Sequence, residues 1–401
     1  WMLREKKKKS ILMLKSLVLA SVAALASASN PVLIVPGTGG NRLEAKLDKS
    51  GKQVHWYCSK KSDWYDLWLD VKQLVPGAIE CWCENIKLVY DADTGTFSNA
   101  PGVETRVPCY GDVCGIEYLD MSIKAGDSAY FHDMIEAFVD KGYTRAEDIV
   151  SAPYDFRYSA VSNPDGYVNA TMNMAEQLYE KTGEKVLWIS HSMGGLWTHY
   201  IMSQASQEWK DKYIKAWVPV APAYGGTATE LKLFASGDAE GIPLISGSTV
   251  REEQRSYESN FWLLPNLDLW KDDEIVVTTP DKTYTAHDLP EFFVDIGYPD
   301  GAQIYSTIPY DISDPNIKTY VRYGVGQDTA EHYTYGSNDW DSVKDIKNGD
   351  GDGTVNRRSL EAGLSAGWKD SDHKAFDGED HQSILKNKEF LQELLELAGA
   401  A

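Results

Sequence analysis

Apolar and polar positions follow a regular rhythm of short strands and helices along much of the chain. Residues 32–35, "VLIV", form a continuous apolar run, which is typical of a strand buried on both faces of a parallel sheet. A second such run, "VLWIS" at residues 186–190, follows a helical periodicity over residues 168–182 that ends at Gly183. Because strand, helix and strand alternate, the pattern predicts an α/β fold with a parallel sheet.

The rhythm is lost between about residues 227 and 336, where turn residues are frequent and aromatic residues are scattered. This change predicts a cap inserted over the core. Regular structure is expected again near "GDGDGTVN" at residues 349–356, and a helical pattern over residues 383–397 ends the chain. The pattern therefore predicts one large α/β domain that carries an insertion.

The N-terminal segment differs from the rest of the chain. The basic stretch "REKKKK" precedes a short apolar run and the small residues of "ALASASN", which is the order of a secretory signal peptide. We therefore expect residues 1–28 to be removed and residues 29–401 to form the mature protein. In a secreted chain, the sequon at Asn169 predicts an exposed, glycosylated position.

Composition and charge exclude one class of partner. A hydrophobic content of 43% is enough for a large buried core. The formal net charge of −21 repels the phosphate backbone, so we expect no nucleic-acid partner.

Five cysteines are present, at positions 58, 81, 83, 109 and 114. The secretory route permits disulfides, and an odd number leaves at least one cysteine without a partner inside the chain. Spacing alone leaves the pairing open: Cys58 with Cys81 would close a loop, and Cys109 with Cys114 would form a short clip. None of the cysteines has the spacing of a metal site, so we expect no bound metal.

Candidate chemistry centres on Ser192, within "SHSMG" at residues 190–194. The nucleophile elbow of serine hydrolases reads G-x-S-x-G, a strained turn between a strand and a helix that exposes the serine. Ser190 replaces the first glycine, but it is small enough for the turn, and Gly194 supplies room on the other side. Since a strand precedes and a helix follows, we predict that Ser192 is a nucleophile.

A nucleophilic serine needs a histidine base and an acid that orients it, in the order serine, acid, histidine for this elbow. Asp352 directly precedes Gly-Thr-Val in a loop after a late strand, and we prefer it over Asp350 as the acid. An alternative is a calcium loop that starts at Asn348. That alternative fails at the twelfth position, where Ser359 stands in place of a bidentate glutamate.

Two histidines follow the acid, His373 and His381. His381 lies in "GEDHQSIL", a loop just before the terminal helix, whereas His373 lies in a charged stretch that suggests a solvated surface. Histidines that precede the acid have the wrong order, and His191 and His199 are too close to the serine. We therefore predict His381 as the base.

The tetrahedral intermediate of acyl transfer needs two backbone N–H donors. One is predicted at Met193, directly after the serine. The other is predicted in "PGTGG", the loop after the first strand, with Thr38 or Gly39 as the donor.

With these residues placed, the chain resembles the lecithin:cholesterol acyltransferase family, and within it the lysosomal phospholipase A and acyltransferase branch. The matching stretches span most of the mature chain, and the blocks "APYDFR" and "GDGTV" are specific to that family among serine hydrolases. They include "VLIVPGTGGNRLEAKLDK", "HWYCSKK", "GYTRAEDIVSAPYDFR", "SHSMG", "APAYGG", "FFVDIGY" and "GDGDGTVN". The resemblance implies an α/β-hydrolase core with a cap insertion at about residues 227–336 and a membrane-contacting lid subdomain at about residues 58–98.

By motif match, the resemblance also implies Ser192 as nucleophile, Asp352 as acid and His381 as base. It places the early oxyanion donor at the residue after Pro-Gly, which is Thr38. The lid disulfide of the family corresponds to Cys58 with Cys81.

The loop between these two cysteines carries a cluster of apolar and aromatic residues interleaved with aspartates. An amphipathic core helix is the plainer interpretation. Trp and Tyr also settle at membrane interfaces, so we consider a membrane-binding surface as a second hypothesis. Its residues are Trp64, Tyr65, Leu67, Trp68 and Leu69.

The sequence thus predicts a serine phospholipase and O-acyltransferase without a cofactor, secreted or lysosomal. It would work at a phospholipid membrane or lipoprotein surface and pass the acyl chain to water or a lipid alcohol. The alternatives are a sterol acyltransferase or neutral-lipid esterase and, in another class, a lipid-binding protein with a relic site.

Overall fold

The computed structural model of the protein describes residues 29–51, 53–124, 126–239 and 245–401. The predicted signal peptide, residues 1–28, lies outside the described residues. Within the described part of the chain, no helix combines the length and the apolar character needed to span a bilayer.

Strands and helices are numbered here in chain order. The strands are β1 (Val32–Val35), β2 (Leu43–Asp48), β3 (Lys61–Trp68), β4 (Leu88–Asp91), β5 (Thr96–Asn99), β6 (Val103–Arg106), β7 (Ile149–Ser151), β8 (Val186–His191), β9 (Ile214–Val220), β10 (Ile275–Thr278), β11 (Thr283–Thr285), β12 (Thr319–Val325), β13 (Gln327–Tyr335), β14 (Val343–Gly351) and β15 (Ser371–Asp377). The helices are α1 (Ile79–Ile86), α2 (His132–Val139), α3 (Tyr167–Thr182), α4 (Met193–Gln204), α5 (Gln207–Tyr213), α6 (Thr229–Ser236), α7 (Gly247–Arg255), α8 (Glu258–Trp262), α9 (Leu289–Asp295), α10 (Asp300–Tyr305), α11 (Arg357–Leu360), α12 (Ala362–Ser365) and α13 (Lys388–Leu397).

A six-stranded sheet forms the centre of the described molecule, in the order β15, β12, β9, β8, β1, β7. All of its neighbouring strands run parallel. Every residue of β1 and β8 is buried, because helices and loops cover both faces of the sheet. The predicted parallel α/β fold is therefore confirmed.

Alternate residues of the buried strands serve two separate cores. Val32 and Ile34 point to one face and pack in a cluster that contains side chains of α2 and α13. Leu33 and Val35 point to the other face, in a larger cluster with α3, α4 and the cap. The period of two along a strand thus explains how one short apolar run fills both layers.

The cap consists of helices α6 to α10 and a four-stranded sheet in the order β11, β10, β13, β14. The stretch 227–336, which we expected to be cap throughout, also contains β12, a strand of the central sheet between β9 and β15. The boundary is corrected accordingly. The chain returns to the core at β12, where six of the seven residues are buried. The tyrosines and the arginine of this strand obscure its apolar pattern in the sequence.

We call residues 43–106 the small β subdomain. Its three-stranded antiparallel sheet has the order β3, β2, β6, and the hairpin β4–β5 and helix α1 belong to it. It includes the predicted lid segment and extends beyond it on both sides, because β3 pairs with β2. A disulfide joins Cys58 to Cys81, and a second joins Cys109 to Cys114 outside the subdomain. Cys83 is the cysteine that the described residues leave unpaired.

The block "APYDFR", residues 152–157, connects the small β subdomain to the core. Arg157 is fully buried and pairs with Asp155 at 2.6 Å. Its guanidinium also donates to the carbonyl of Ile86 at 2.8 Å and to Asn99 Oδ1 at 2.8 Å. One buried cation thus holds the end of α1 and the end of β5 against the loop that follows β7.

Candidate active site

Four segments converge at the carboxyl edge of the central sheet, where open α/β sheets bind their ligands. The loop after β1 contains Thr38, and β8 ends directly before Ser192. The chain leaves β12 through the hairpin β13–β14 and then reaches Asp352, and the loop after β15 brings His381. The topology therefore gathers residues that lie far apart in the sequence.

Ser192 occupies a strained turn between β8 and α4, with φ 54° and ψ −127°. The turn is crowded: a Cβ on Gly194 would lie 2.4 Å from the carbonyl oxygen of Pro36. Ser190 is accommodated because its hydroxyl accepts a hydrogen bond from the indole of Trp217 at 2.9 Å. These contacts explain the need for a small residue on each side of the serine.

The serine, histidine and aspartate form one hydrogen-bonded chain. His381 Nε2 lies 2.9 Å from Ser192 Oγ, and His381 Nδ1 lies 2.7 Å from Asp352 Oδ2. Since Nδ1–H donates to the carboxylate, Nε2 is left as the acceptor for the serine proton. The arrangement can therefore deprotonate Ser192 during an attack on an ester.

Asp352 is fully buried, and backbone amides of other residues hold it in place. Its Oδ1 accepts from the amides of Thr354 at 3.0 Å and Val355 at 2.7 Å, and its carbonyl accepts from the amide of His381 at 2.9 Å. Asp350 turns away and pairs with Arg357 at 2.8 Å. The two aspartates therefore serve different partners and do not converge as calcium ligands would.

His373 lies on β15, where its Nε2 contacts Ser371 Oγ at 3.2 Å, and not in the site. The charged stretch around it, which forms an edge strand of the central sheet, has Asp370, Asp372 and Ala375 exposed, as expected of a solvated surface, while His373 itself is half-buried.

The predicted oxyanion donors flank the serine. Met193 is the first residue of α4, and the first N–H groups of a helix have no acceptor inside it. The loop with Thr38 lies against Ser192: a Cβ on Gly37 would lie 2.8 Å from Ser192 Cβ. Thr38 and Gly39 both line the cavity beside Ser192.

This cavity has a volume of about 420 Å³, within the range of ligand sites. Its wall includes Trp68 and Trp82 of the small β subdomain and Phe156 of the core. The indole of Trp68 donates to the carbonyl of Gly39 at 2.7 Å, which ties the subdomain to the loop that carries the predicted oxyanion donor. An aromatic wall of this kind suits an apolar chain.

Three acidic side chains, Glu230, Asp238 and Glu253, line the part of the cavity formed by the cap. Sequence reasoning missed them, and it missed Trp82 and Phe156 as well. No local motif marks these residues, because only the cap and subdomain packing brings them to the serine.

Of the five residues considered for membrane binding, four lie on strand β3 and Leu69 directly follows it, so the segment is not the amphipathic helix that the plainer interpretation expected. Leu67 is fully buried, Trp68 lines the cavity, and Tyr65 and Leu69 are half-buried. Only Trp64 is exposed among the five, at 36%, and the guanidinium of Arg106 lies 4.3 Å from its ring centre.

The more exposed aromatic surface precedes Cys58 and was not predicted. Trp56 is 94% exposed and Tyr57 is 45% exposed, with their ring centres 5.8 Å apart. Val54 is 49% exposed in the same segment. We call Val54, Trp56 and Tyr57 the aromatic tip.

Glu117, His132 and Glu136 are the group in the described chain whose donor atoms, within 4.8 Å of one another, could hold a metal ion. Arg145 already donates to Glu117 Oε1 at 2.8 Å and to Glu136. Because a cation occupies the place between the carboxylates, we assign no metal to this ion-pair cluster.

Comparison with known proteins identifies relatives of this chain. The sequence profile described as "Lecithin:cholesterol acyltransferase" matches residues 64–313. The chain is 39% identical over 379 residues to "Lysosomal phospholipase A and acyltransferase" of Rattus norvegicus, covering 92% of this chain and 91% of that protein. It is 40% identical to the human protein of that name, covering 87% and 84%. It is 35% identical to "Phosphatidylcholine-sterol acyltransferase" of Rattus norvegicus, covering 93% and 85%.

Proposed function

The chain belongs to the lecithin:cholesterol acyltransferase family, and from this premise we propose that it is a serine phospholipase A and O-acyltransferase. It removes an acyl chain from a glycerophospholipid, keeps it as an ester on Ser192, and passes it to water or to a lipid alcohol. The observation that carries the proposal is the chain of hydrogen bonds from Ser192 through His381 to Asp352 beside an aromatic cavity.

In the first half-reaction, Ser192 Oγ attacks the ester carbonyl and His381 Nε2 takes the serine proton. Asp352 holds the imidazole in the required tautomer and stabilises the imidazolium. The amides of Thr38 and Met193 donate to the oxyanion. When the tetrahedral intermediate collapses, His381 gives the proton to the leaving lysophospholipid, and the acyl chain stays on Ser192.

In the second half-reaction, His381 deprotonates the acceptor as it attacks the acyl-enzyme. When the bond between the acyl carbon and Ser192 Oγ breaks, His381 returns the proton to Ser192 Oγ. Water gives a free fatty acid and a lipid alcohol gives an acylated alcohol. The alternative activities are transfer to a sterol acceptor and hydrolysis of a neutral lipid, and both would use the same residues. A lipid-binding protein with a relic site is the alternative from another class, and the intact hydrogen-bonded chain favours the enzyme.

We further propose that the protein works at a lipid surface in the secretory pathway, either in the lysosome or outside the cell. Disulfides form in such compartments, and the described chain contains two. Asn169 is exposed on α3, as a glycosylated position requires. The aromatic tip supplies the exposed tryptophan and tyrosine that settle at membrane interfaces.

The test uses the secreted full chain on vesicles of labelled phosphatidylcholine that contain a long-chain alcohol or cholesterol. Free fatty acid, acylated alcohol and sterol ester are followed for wild type, Ser192→Ala, His381→Gln and His373→Gln. We expect Ser192→Ala and His381→Gln to lose about 10³-fold or more in kcat. His373→Gln, the matched control outside the site, should keep wild-type rates.

A fluorophosphonate probe, which labels activated serines, tests the nucleophile directly. Labelling of wild type that disappears in Ser192→Ala supports the enzyme. Wild type without labelling or turnover would favour the relic, and sterol ester as the main product would favour the sterol acyltransferase.

A further inference from the structure

His191, the residue directly before the nucleophile, bonds to the backbone of the base. It is the last residue of β8 and is 2% exposed. Its Nε2 lies 2.8 Å from the carbonyl oxygen of His381. This contact crosses from the central strand of the nucleophile to the loop that presents the proposed base, although the two residues are 190 positions apart in sequence.

The other ring nitrogen of His191 connects to the oxyanion loop. Nδ1 is hydrogen-bonded to the hydroxyl of Tyr130, and that hydroxyl also accepts from the amide of Gly37 at 3.2 Å. The Tyr130 ring packs under the loop so closely that a Cβ on Gly40 would lie 2.6 Å from it. Gly37 directly precedes Thr38, so this bond fixes the loop next to the predicted donor.

The donors and acceptors along this path are determined by their chemistry. A carbonyl oxygen only accepts, so His191 Nε2 carries a proton and donates it to His381. In the neutral ring Nδ1 is then an acceptor, and the Tyr130 hydroxyl donates to it. The same hydroxyl oxygen accepts from Gly37. The path therefore contains one donor for each acceptor and needs no charge.

Burial keeps this ring neutral. Loss of hydration, together with the nearby His381, lowers the pKa of His191 to about 3. In a charged His191, Nδ1 would also carry a proton, so it could no longer accept the hydrogen bond from the Tyr130 hydroxyl. At any pH above about 4 to 5 the ring stays in the form that the bonds require.

We propose that His191 and Tyr130 are positioning residues that hold the carbonyl of His381 and the turn at Gly37 in register with Ser192. The inference rests on the proposed triad, since it assigns His191 and Tyr130 to the alignment of that triad and its oxyanion loop. Neither residue takes a proton from substrate. Their effect is on the distances between groups that do, and a displacement of about 1 Å in such groups costs on the order of a hundredfold in rate.

The test compares two substitutions at one position. His191→Leu removes the donor to His381, whereas the side-chain amide of His191→Gln can still donate to the same carbonyl. We expect His191→Leu to lower kcat about 10- to 100-fold on a soluble p-nitrophenyl ester, with KM changed less than about threefold. His191→Gln should recover most of the lost kcat. Tyr130→Phe, which removes one oxygen, should lower kcat about 3- to 10-fold.

His199 provides the matched control. It is also buried, at 3% exposed, and its Nε2 also contacts a backbone carbonyl, that of Ser313, at 2.7 Å. His199→Leu removes the same kind of bond away from the cavity. Its kcat should stay within about twofold of wild type even if its melting temperature falls as far as that of His191→Leu.

The outcomes separate this inference from the proposed function. If wild type neither turns over ester nor reacts with the fluorophosphonate probe, the proposed function fails. If wild type is active and His191→Leu keeps its kcat, the positioning role is refuted and the triad stands. Equal losses in His191→Leu and His191→Gln, or a loss confined to KM, would also refute it. If His191→Leu does not fold, Tyr130→Phe decides: wild-type kcat in that variant contradicts the proposal.

Discussion

The central sheet and the small β subdomain both supply side chains to the cavity beside Ser192, but different forces hold them together. All four residues of β1 are fully buried, whereas in β3 only Leu67 is. The sheet is therefore stabilised mainly by apolar burial. The subdomain, with less core of its own, adds the Cys58–Cys81 disulfide and the buried Arg157–Asp155 pair.

The residues that each region contributes to the site agree with the forces that hold that region together. The sheet and the loop after β15 supply Ser192 and His381, whose proposed proton transfer needs a fixed distance, and packed elements hold such distances. The subdomain supplies Trp68 and Trp82 to the cavity wall, where the proposed apolar contact with an acyl chain would tolerate small shifts. The comparison teaches that the residues proposed for bond making are held by the buried sheet and its loops, whereas the residues proposed to contact lipid belong to the linked subdomain.

Breaking the link between the two regions should have the largest effect on stability. Arg157→Leu leaves the carboxylate of Asp155 buried without its cation, and it frees the ends of α1 and β5. Loss of one partner of a buried pair costs about 3–5 kcal/mol, so we expect a decrease of that size in the free energy of unfolding. Urea unfolding measures it, and limited proteolysis should locate the earliest cleavage within residues 43–106.

Glu104→Gln is the control for this prediction. It breaks the exposed pair between Lys46 and Glu104, at 3.3 Å, within the same subdomain. Such a pair contributes less than about 1 kcal/mol. Equal losses in the two variants, or first cleavage in the central sheet, would contradict the role given to Arg157.

Protonation of His191 in acid should lower the free energy of unfolding by less than Arg157→Leu does. The groups that face this ring are Tyr130, His381 and, through its charge, Asp352. The pKa of His191 falls from 6.5 in its ordinary state to about 3 in the fold. Between these values the unfolded chain binds the extra proton, so stability falls as pH decreases from about 6.5 towards 3. At pH 4.5 this amounts to about 2–3 kcal/mol.

His191→Gln removes this proton without removing the bond to His381. Urea unfolding at pH 7.5 and pH 4.5 should show that wild type loses about 2–3 kcal/mol more than the variant between the two values. His199, whose pKa burial also lowers, remains in both proteins and cancels in the comparison. The same acid loss in wild type and variant would show that His191 does not titrate as burial predicts.

The elements that the sequence predicted well are those whose signals are local. The run at residues 32–35 is apolar throughout because both faces of β1 are covered, so it could be identified without its neighbours. Ser192 was found from the small residues around it, and Asp352 and His381 from their order in the chain. The structure brings these three side chains together, while their catalytic roles stay a prediction for the variants above.

The elements that could not be predicted depend on contacts between distant segments. In β3, aspartates interrupt the aromatic residues, and the segment is a strand only because it pairs with β2. Tyr130 reaches the site from the segment just before α2 through contacts with His191 and Gly37, which are 61 and 93 residues away. The core strand β12 was assigned to the cap because the excursions on either side of it hide the βαβ rhythm.

The smallest expected effect tests the lipid contact proposed for the small β subdomain. Trp56 is 94% exposed at the aromatic tip, whereas the ring of Trp64 is covered in part by Arg106. We therefore expect Trp56→Ala to weaken binding to phosphatidylcholine vesicles about tenfold, or ~1.4 kcal/mol, and Trp64→Ala to weaken it less than threefold. Vesicle flotation measures the binding. Leu364→Ala, which changes an exposed apolar residue on α12, should bind as wild type does.

Because Trp68 lines the cavity, its substitution would mix substrate contact with membrane contact, so Trp56 gives the cleaner measurement. If Trp56→Ala binds as tightly as wild type and keeps its rate on vesicles, the aromatic tip is not the lipid contact. The subdomain would then serve the cavity alone, through Trp68 and Trp82.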